Sequence, residues 1–136
     1  MTVRFYTHSI AKRAEGVALV NSGATENFMN LTYAKWLKLP IKNLEKPRKL
    51  FNVNSSLNKS GNLKHYTDLE VQTSTGQTNL RFFLSDLGEH KAILGYPWFA
   101  AVQPKIDWKR GWIDSSQLPI ILRSGDTKKA RFLPGT

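Results

Sequence analysis

Cysteine is absent from this 136-residue chain, which removes disulfide staples, thiolate nucleophiles and cysteine-ligated zinc from consideration. Histidine is scarce. His8, His65 and His90 lie far apart and lack spacings, such as H-E-x-x-H, by which imidazoles share a metal. Neither metal nor cofactor is expected. No apolar stretch approaches the roughly 20 residues of a membrane span, and the first residues carry no signal-peptide core. The expectation is a soluble, intracellular protein with no membrane partner. Acidic side chains are few: 10 Asp and Glu stand against 20 Lys and Arg, a formal net charge of +10.

The positive charge is unevenly spread. Lys35, Lys38, Lys42, Lys46, Arg48, Lys49, Lys59 and Lys64 face a single nearby acid, Glu45, and Arg123, Lys128, Lys129 and Arg131 repeat the excess near the end. A basic face of this kind can neutralise phosphates, giving weak, non-specific nucleic-acid binding. It can equally be a solvated surface. No nucleic-acid-binding motif accompanies the charge, which favours the second reading.

Many short strand patterns separated by turn signals, with little helix, predict a single all-β barrel-like domain over residues 1–123 and a basic tail over 124–136. Residues 3–10 alternate apolar and polar, and residues 14–20 read as a strand buried on both faces. Asn30 is placed to cap a short helix over residues 31–37, halted before Pro40, with Tyr33, Ala34, Trp36 and Leu37 in the core. Residues 49–71 read as two strands around a polar tip at 54–61, and residues 68–73 and 78–84 as a second hairpin. Residues 91–95 form another strand ending in glycine, followed by a helical turn over 96–101. The last strands are expected at 106–108, 111–113 and 118–122, with Trp98, Trp108 and Trp112 packed. Asp107 and Asp114 fit surface ion pairs better than catalysis.

The most informative run is Gly16-Val17-Ala18-Leu19-Val20-Asn21-Ser22-Gly23-Ala24-Thr25, an apolar strand ending in a tight polar turn. Asn, Ser and Gly suit a plain turn. With Asp in place of Asn21, however, the turn would read Asp-Ser-Gly-Ala-Thr, a signature of aspartic peptidases. Metal-free peptide hydrolysis needs a base to activate water and an acid to polarise the carbonyl. Two carboxylates about 3 Å apart do both by sharing one proton. A carboxamide keeps the size of the carboxylate, but its NH₂ accepts no proton from water.

Three segments in order turn this run into a resemblance. They are Ala18 through Phe28; His65-Tyr66-Thr67-Asp68-Leu69; and Ala92-Ile93-Leu94-Gly95-Tyr96-Pro97-Trp98-Phe99 with Pro104-Lys105-Ile106-Asp107-Trp108 beyond it. Over residues 14–113 the chain resembles the retropepsin-like protease domain of gypsy-type LTR retrotransposons. The resemblance implies a closed β-barrel of the acid-protease fold, with one or two short helices, acting as a symmetric homodimer. One copy of the loop in one chain would supply half a site. It implies that Asn21 occupies the catalytic aspartate's position and that the Ser22 hydroxyl bonds across the dimer axis. Gly23 and Ala24 would approach the substrate backbone, and Val53, Asn54, Ser55 and Leu57 would belong to a flap closing over an extended peptide. Ile93, Leu94 and Gly95 would brace the loop, with Ile93 and Leu94 also lining substrate pockets.

On this reading the chain is an aspartic endopeptidase domain that processes a retrotransposon polyprotein, in the cytoplasm or within virus-like particles. With Asn21 it is expected to bind peptide without cutting it. Either an inactivating substitution or natural decay puts Asn there, and the undamaged remainder of the site points to the former. The terminal residues that seal many retroviral dimers have no clear counterpart, implying weak association. The rival readings are a naturally inactive homodimeric peptide-binding or scaffold module and, behind it, a basic nucleic-acid-binding domain.

Overall fold

The computed structural model describes residues 1–49, 62–74, 76–113 and 119–124. Among these the elements run β1 (Thr2–His8), β2 (Arg13–Val20), β3 (Asn27–Asn30), α1 (Leu31–Trp36), β4 (Lys42–Lys49), β5 (Asn62–Thr73), β6 (Gly76–Ser85), β7 (Ala92–Leu94), α2 (Tyr96–Val102), β8 (Ile106–Asp107), β9 (Trp112–Ile113) and β10 (Ile120–Ser124). Seven strands close a barrel in the order β10-β1-β2-β7-β3-β6-β5, with β5 returning to β10. This is the closed all-β barrel that the resemblance implies, with two short helices where one or two are expected. β4 adds to β5 outside the ring, and β8 pairs with β9 as a separate ladder.

Closure depends on the length of β5. Residues 65–73 of it pair with β6, while its other edge is divided: residues 62–66 pair with β4 and residues 69–72 with β10. From residue 69 to residue 72 both edges of this strand are paired, which leaves no template there for another chain. The two hairpins expected on either side of residue 68 therefore share one continuous strand. The first arm of the earlier hairpin is β4, which starts at Lys42 rather than Lys49. Its expected tip lies outside the described residues, as do Asp114 and the tail beyond Ser124, the last residue of β10.

Period-two patterning orients β1, whose Val3, Phe5 and Thr7 point inward while Thr2 and Arg4 face solvent. β2 differs from expectation, because only one of its faces is buried. Gly16, Ala18 and Val20 turn inward, but Val17 is 50% exposed. Among the described residues no further layer covers this part of the barrel, and its outer face carries the Arg4–Glu15 ion pair instead. Gly16 is small for a packing reason: a β-carbon there would lie 2.9 Å from the Phe5 ring.

β3, β7 and the last four residues of β6 are buried on both faces. Met29, Phe82, Leu84, Ala92 and Leu94 join the main cluster with Phe5, Leu122 and Trp98, whereas Phe28, Phe83 and Ile93 join Ala24, Leu63 and Leu87 in a second one. β3 has no counterpart in the sequence reading, since four residues bounded by asparagines are too short for a legible period. Both helices form as their termini dictate. Asn30 Oδ1 accepts from Tyr33 N at 3.1 Å, capping α1, and Lys38 adopts a left-handed φ of 60° just beyond it. Pro97 sits in the first turn of α2, where its missing N–H costs nothing.

Two tryptophans depart from the expected packing. Trp36 is 51% exposed and Trp108 is 71% exposed, whereas Trp98 is buried. The buried positions of the six-residue α1 and its C-cap are Ala34 and Leu37, leaving Trp36 on the outer side, and Trp108 follows the short β8 at the surface. Asp107 does pair with Arg110, at 3.7 Å. Replacing Trp98 with alanine should cost about 3–5 kcal/mol, whereas Trp108→Ala should stay within about 0.5 kcal/mol. Urea unfolding of both variants checks this, and equal losses would refute the assigned burial.

Candidate active-site loop

The loop begins where β2 stops pairing as a strand and is held immediately by its neighbour. Asn21 N donates to Leu94 O at 3.0 Å, fixing the first loop residue to the end of β7. Ala24 N then returns to Asn21 O at 3.0 Å, and Asn21 Oδ1 accepts from Gly23 N at 2.9 Å. The side chain of Asn21 thus closes an Asx turn over its own loop. Asn21, Ser22 and Gly23 are exposed. Ala24 is buried, its methyl in the second apolar cluster.

A second set of contacts supports this turn from beneath. Ala24 O accepts from Tyr96 N at 2.8 Å, and the fully buried Asn27 accepts from Gly95 N through Oδ1, also at 2.8 Å. A β-carbon at Gly95 would collide with Glu26 O and stand 2.8 Å from Ala24 O. Glycine is required here by this approach of two backbones. Gly95 also starts α2, whose Trp98 N bonds to Gly95 O at 3.1 Å and whose indole is anchored in the core. The turn is therefore fixed through β7, β3 and α2 together.

These contacts refine several expected roles. Ala24 uses both its N–H and its carbonyl within the protein, so its visible part is bracing rather than an open edge for substrate. Ile93 and Leu94 are each 1% exposed. Their side chains pack into opposite clusters, leaving no free surface with which to line a pocket, while the Leu94 carbonyl pins the loop. Val53, Asn54, Ser55 and Leu57 lie outside the described residues. Asn27 is the residue that sequence reasoning quoted without assigning it a task. A polar amide directly before the apolar pair Phe28 and Met29 was the available signal that it turns inward.

The electrostatics of the turn are those of a neutral amide. Glu26, the acid nearest in sequence, acts on Arg81, whose pKa is raised chiefly by its hydrogen bond to Asp68, with Glu26 a smaller influence. Arg81 Nε meets Asp68 Oδ1 at 2.9 Å, and its guanidinium lies 3.9 Å from the Tyr66 ring centroid. The His65–Leu69 segment is thus a structural part of β5. His65 Nδ1 lies 2.9 Å from Asn43 Oδ1 across the β4–β5 pair. Among the described residues, no group of three His, Asp or Glu side chains converges as metal ligands would.

A closed seven-stranded barrel carrying an exposed turn locked by a glycine-led helix defines a retropepsin-like domain. Residues 17–120 match the family model described as PEG10/RTL1 protease domain, and the chain belongs to that retrotransposon-derived protease family. No curated protein matches the chain. No helix among the described residues is long and apolar enough to cross a membrane.

The bracing makes a direct prediction. Asn27→Ala strands the buried Gly95 N–H and should cost about 1–3 kcal/mol, and Gly95→Ala should cost about as much by overpacking. Urea unfolding measures both. Amide exchange at Gly95 should accelerate in the Asn27 variant, and unchanged protection would show that the bond does not hold the loop.

Proposed function

We propose that the chain is one half of an aspartic endopeptidase that processes a retrotransposon polyprotein, in a form that binds peptide without cleaving it. The observation that carries this reading is the exposed turn in which Asn21 Oδ1 accepts from Gly23 N. An aspartate at the same position would give one carboxylate oxygen to that N–H and keep the other free. In a symmetric dimer two such carboxylates would share one proton, one activating water and the other polarising the carbonyl. Ser22 would bond across the axis.

With asparagine the free pole of the side chain is Nδ2, which only donates. The base alone contributes on the order of 10²–10⁴ in rate, so the chain should be almost silent although the loop is intact. The same combination of intact bracing and absent base fits a naturally inactive peptide-binding module.

Cleavage of peptides between about pH 4 and 7, the range for a shared-proton carboxylate pair, separates the two. Asn21→Asp should gain activity blocked by a transition-state-mimicking inhibitor, while the parent chain stays inactive. If both remain inactive as folded dimers, the binding-module reading stands and the endopeptidase reading falls.

A further inference from the structure

The other end of the barrel carries a feature that the proteolytic reading does not use. The β1–β2 turn docks on the end of α1, with Ser9 Oγ 2.6 Å from Leu37 O. Lys12 from that turn places Nζ 3.9 Å from the Trp36 ring centroid. Trp36 in turn stacks on Tyr33, with centroids 5.9 Å apart and planes inclined by 22°, and Lys91 approaches Tyr33 at 5.3 Å. A cleft of about 350 Å³ opens beside them, its lining including Thr32, Tyr33, Trp36, Glu89, His90 and Lys91.

Charge around this cleft is strongly one-sided. Lys35 and Lys38 are exposed next to Trp36 in the chain, and Arg13 is exposed next to Lys12. Arg13 pairs in register with His8, and His8 in turn with Arg123. Burial, reinforced by Arg123 and Arg13, lowers the pKa of His8, so the two arginines carry the charge of this row at neutral pH. Glu89 is the one carboxylate lining the cleft among the described residues.

We infer that this α1 patch, Lys12 and Lys91 against the exposed Trp36 and its partner Tyr33 with Lys35 and Lys38 close by in the chain, binds single-stranded nucleic acid, with phosphates on the lysines and a base on the indole. Charge favours a polyanion, and the half-exposed indole favours one that carries flat aromatic groups over an acidic peptide. Lys12 rests on the indole by an exposed cation–π contact, the weaker kind. An incoming base would replace it there and release its ammonium for a phosphate. The Lys12 end of the patch lies about 23 Å along β2 from the Asn21 turn, while Lys91 stands nearer, where β7 pairs with β2. The inference is independent of the catalytic state of Asn21.

The test is fluorescence anisotropy with a labelled oligouridine of about 12 nucleotides, within the site sizes of single-strand binders, from about 20 to about 200 mM salt. Binding should weaken with a log–log slope of about −2 to −3, as for three to four neutralised phosphates, and should quench tryptophan fluorescence. Lys12→Glu with Lys91→Glu should weaken binding at least about tenfold through lost phosphate pairing, and Trp36→Leu about tenfold through lost stacking together with most of the quench. Lys42→Glu with Lys46→Glu, on β4, should change affinity less than about twofold. Circular-dichroism melts establish that each variant is folded; should Trp36→Leu unfold, the lysine pair and the wild-type quench carry the test.

Absence of binding at low salt would overturn the inference. So would equal loss from the β4 pair, which would mean diffuse attraction. Competition by poly-glutamate as strong as by RNA would also overturn it, assigning the patch to acidic peptides.

Discussion

Everything at the candidate site depends on the seating of Gly95 against the chain that leaves the Asn21 turn. Its N–H is held by a buried amide, its missing side chain lets two carbonyls approach, and its carbonyl begins α2. Water cannot substitute for the Asn27 acceptor at a fully buried position without space being made for it. The turn therefore has a rigid base on its inner side while its outer side remains solvated. That polarity, fixed below and open above, suits a loop that must hold a reacting group in one orientation. It also makes the loop's geometry separable from its chemistry, because none of these bracing bonds requires a carboxylate.

Much of this is legible in the sequence alone. Alternation in β1, the Asn30 cap, the Pro97 start of α2 and the glycine ending residues 91–95 are local signals, and local physics sets them. The turn itself was readable because Asn21, Ser22 and Gly23 are turn-formers following an apolar run. What remained hidden was set by distant partners. β3 is four residues long and acquires strand conformation only by pairing with β6 and β7. β2 reads as buried on both faces because Val17 is apolar, yet burial depends on whether a further layer covers the outside, and among the described residues none does there. Trp36 and Trp108 show the same limit: hydrophobicity says that a side chain gains from burial, not that the topology offers a place for it.

At the site the division is similar. Motif order located the loop and its bracing element, but the substrate-pocket role that the resemblance implies for Ile93 and Leu94 does not fit their burial. Their neighbours on both sides of β7 absorb them completely. Asn27 went unassigned because its task depends on Gly95, 68 residues away in the chain. The basic character, by contrast, was visible as composition and gained a location only when the β1–β2 turn met α1.

The central claim is that the Asn21–Gly23 turn is half of a two-fold site. The lack of cysteine makes it directly testable, since one introduced thiol has no competitor. Ser22→Cys, oxidised under mild conditions, should give a covalent dimer, with a Lys109→Cys control remaining monomeric. A Ser22→Cys protein that stays monomeric, or cross-links no better than the control, would contradict the placement of the turn at a dimer axis.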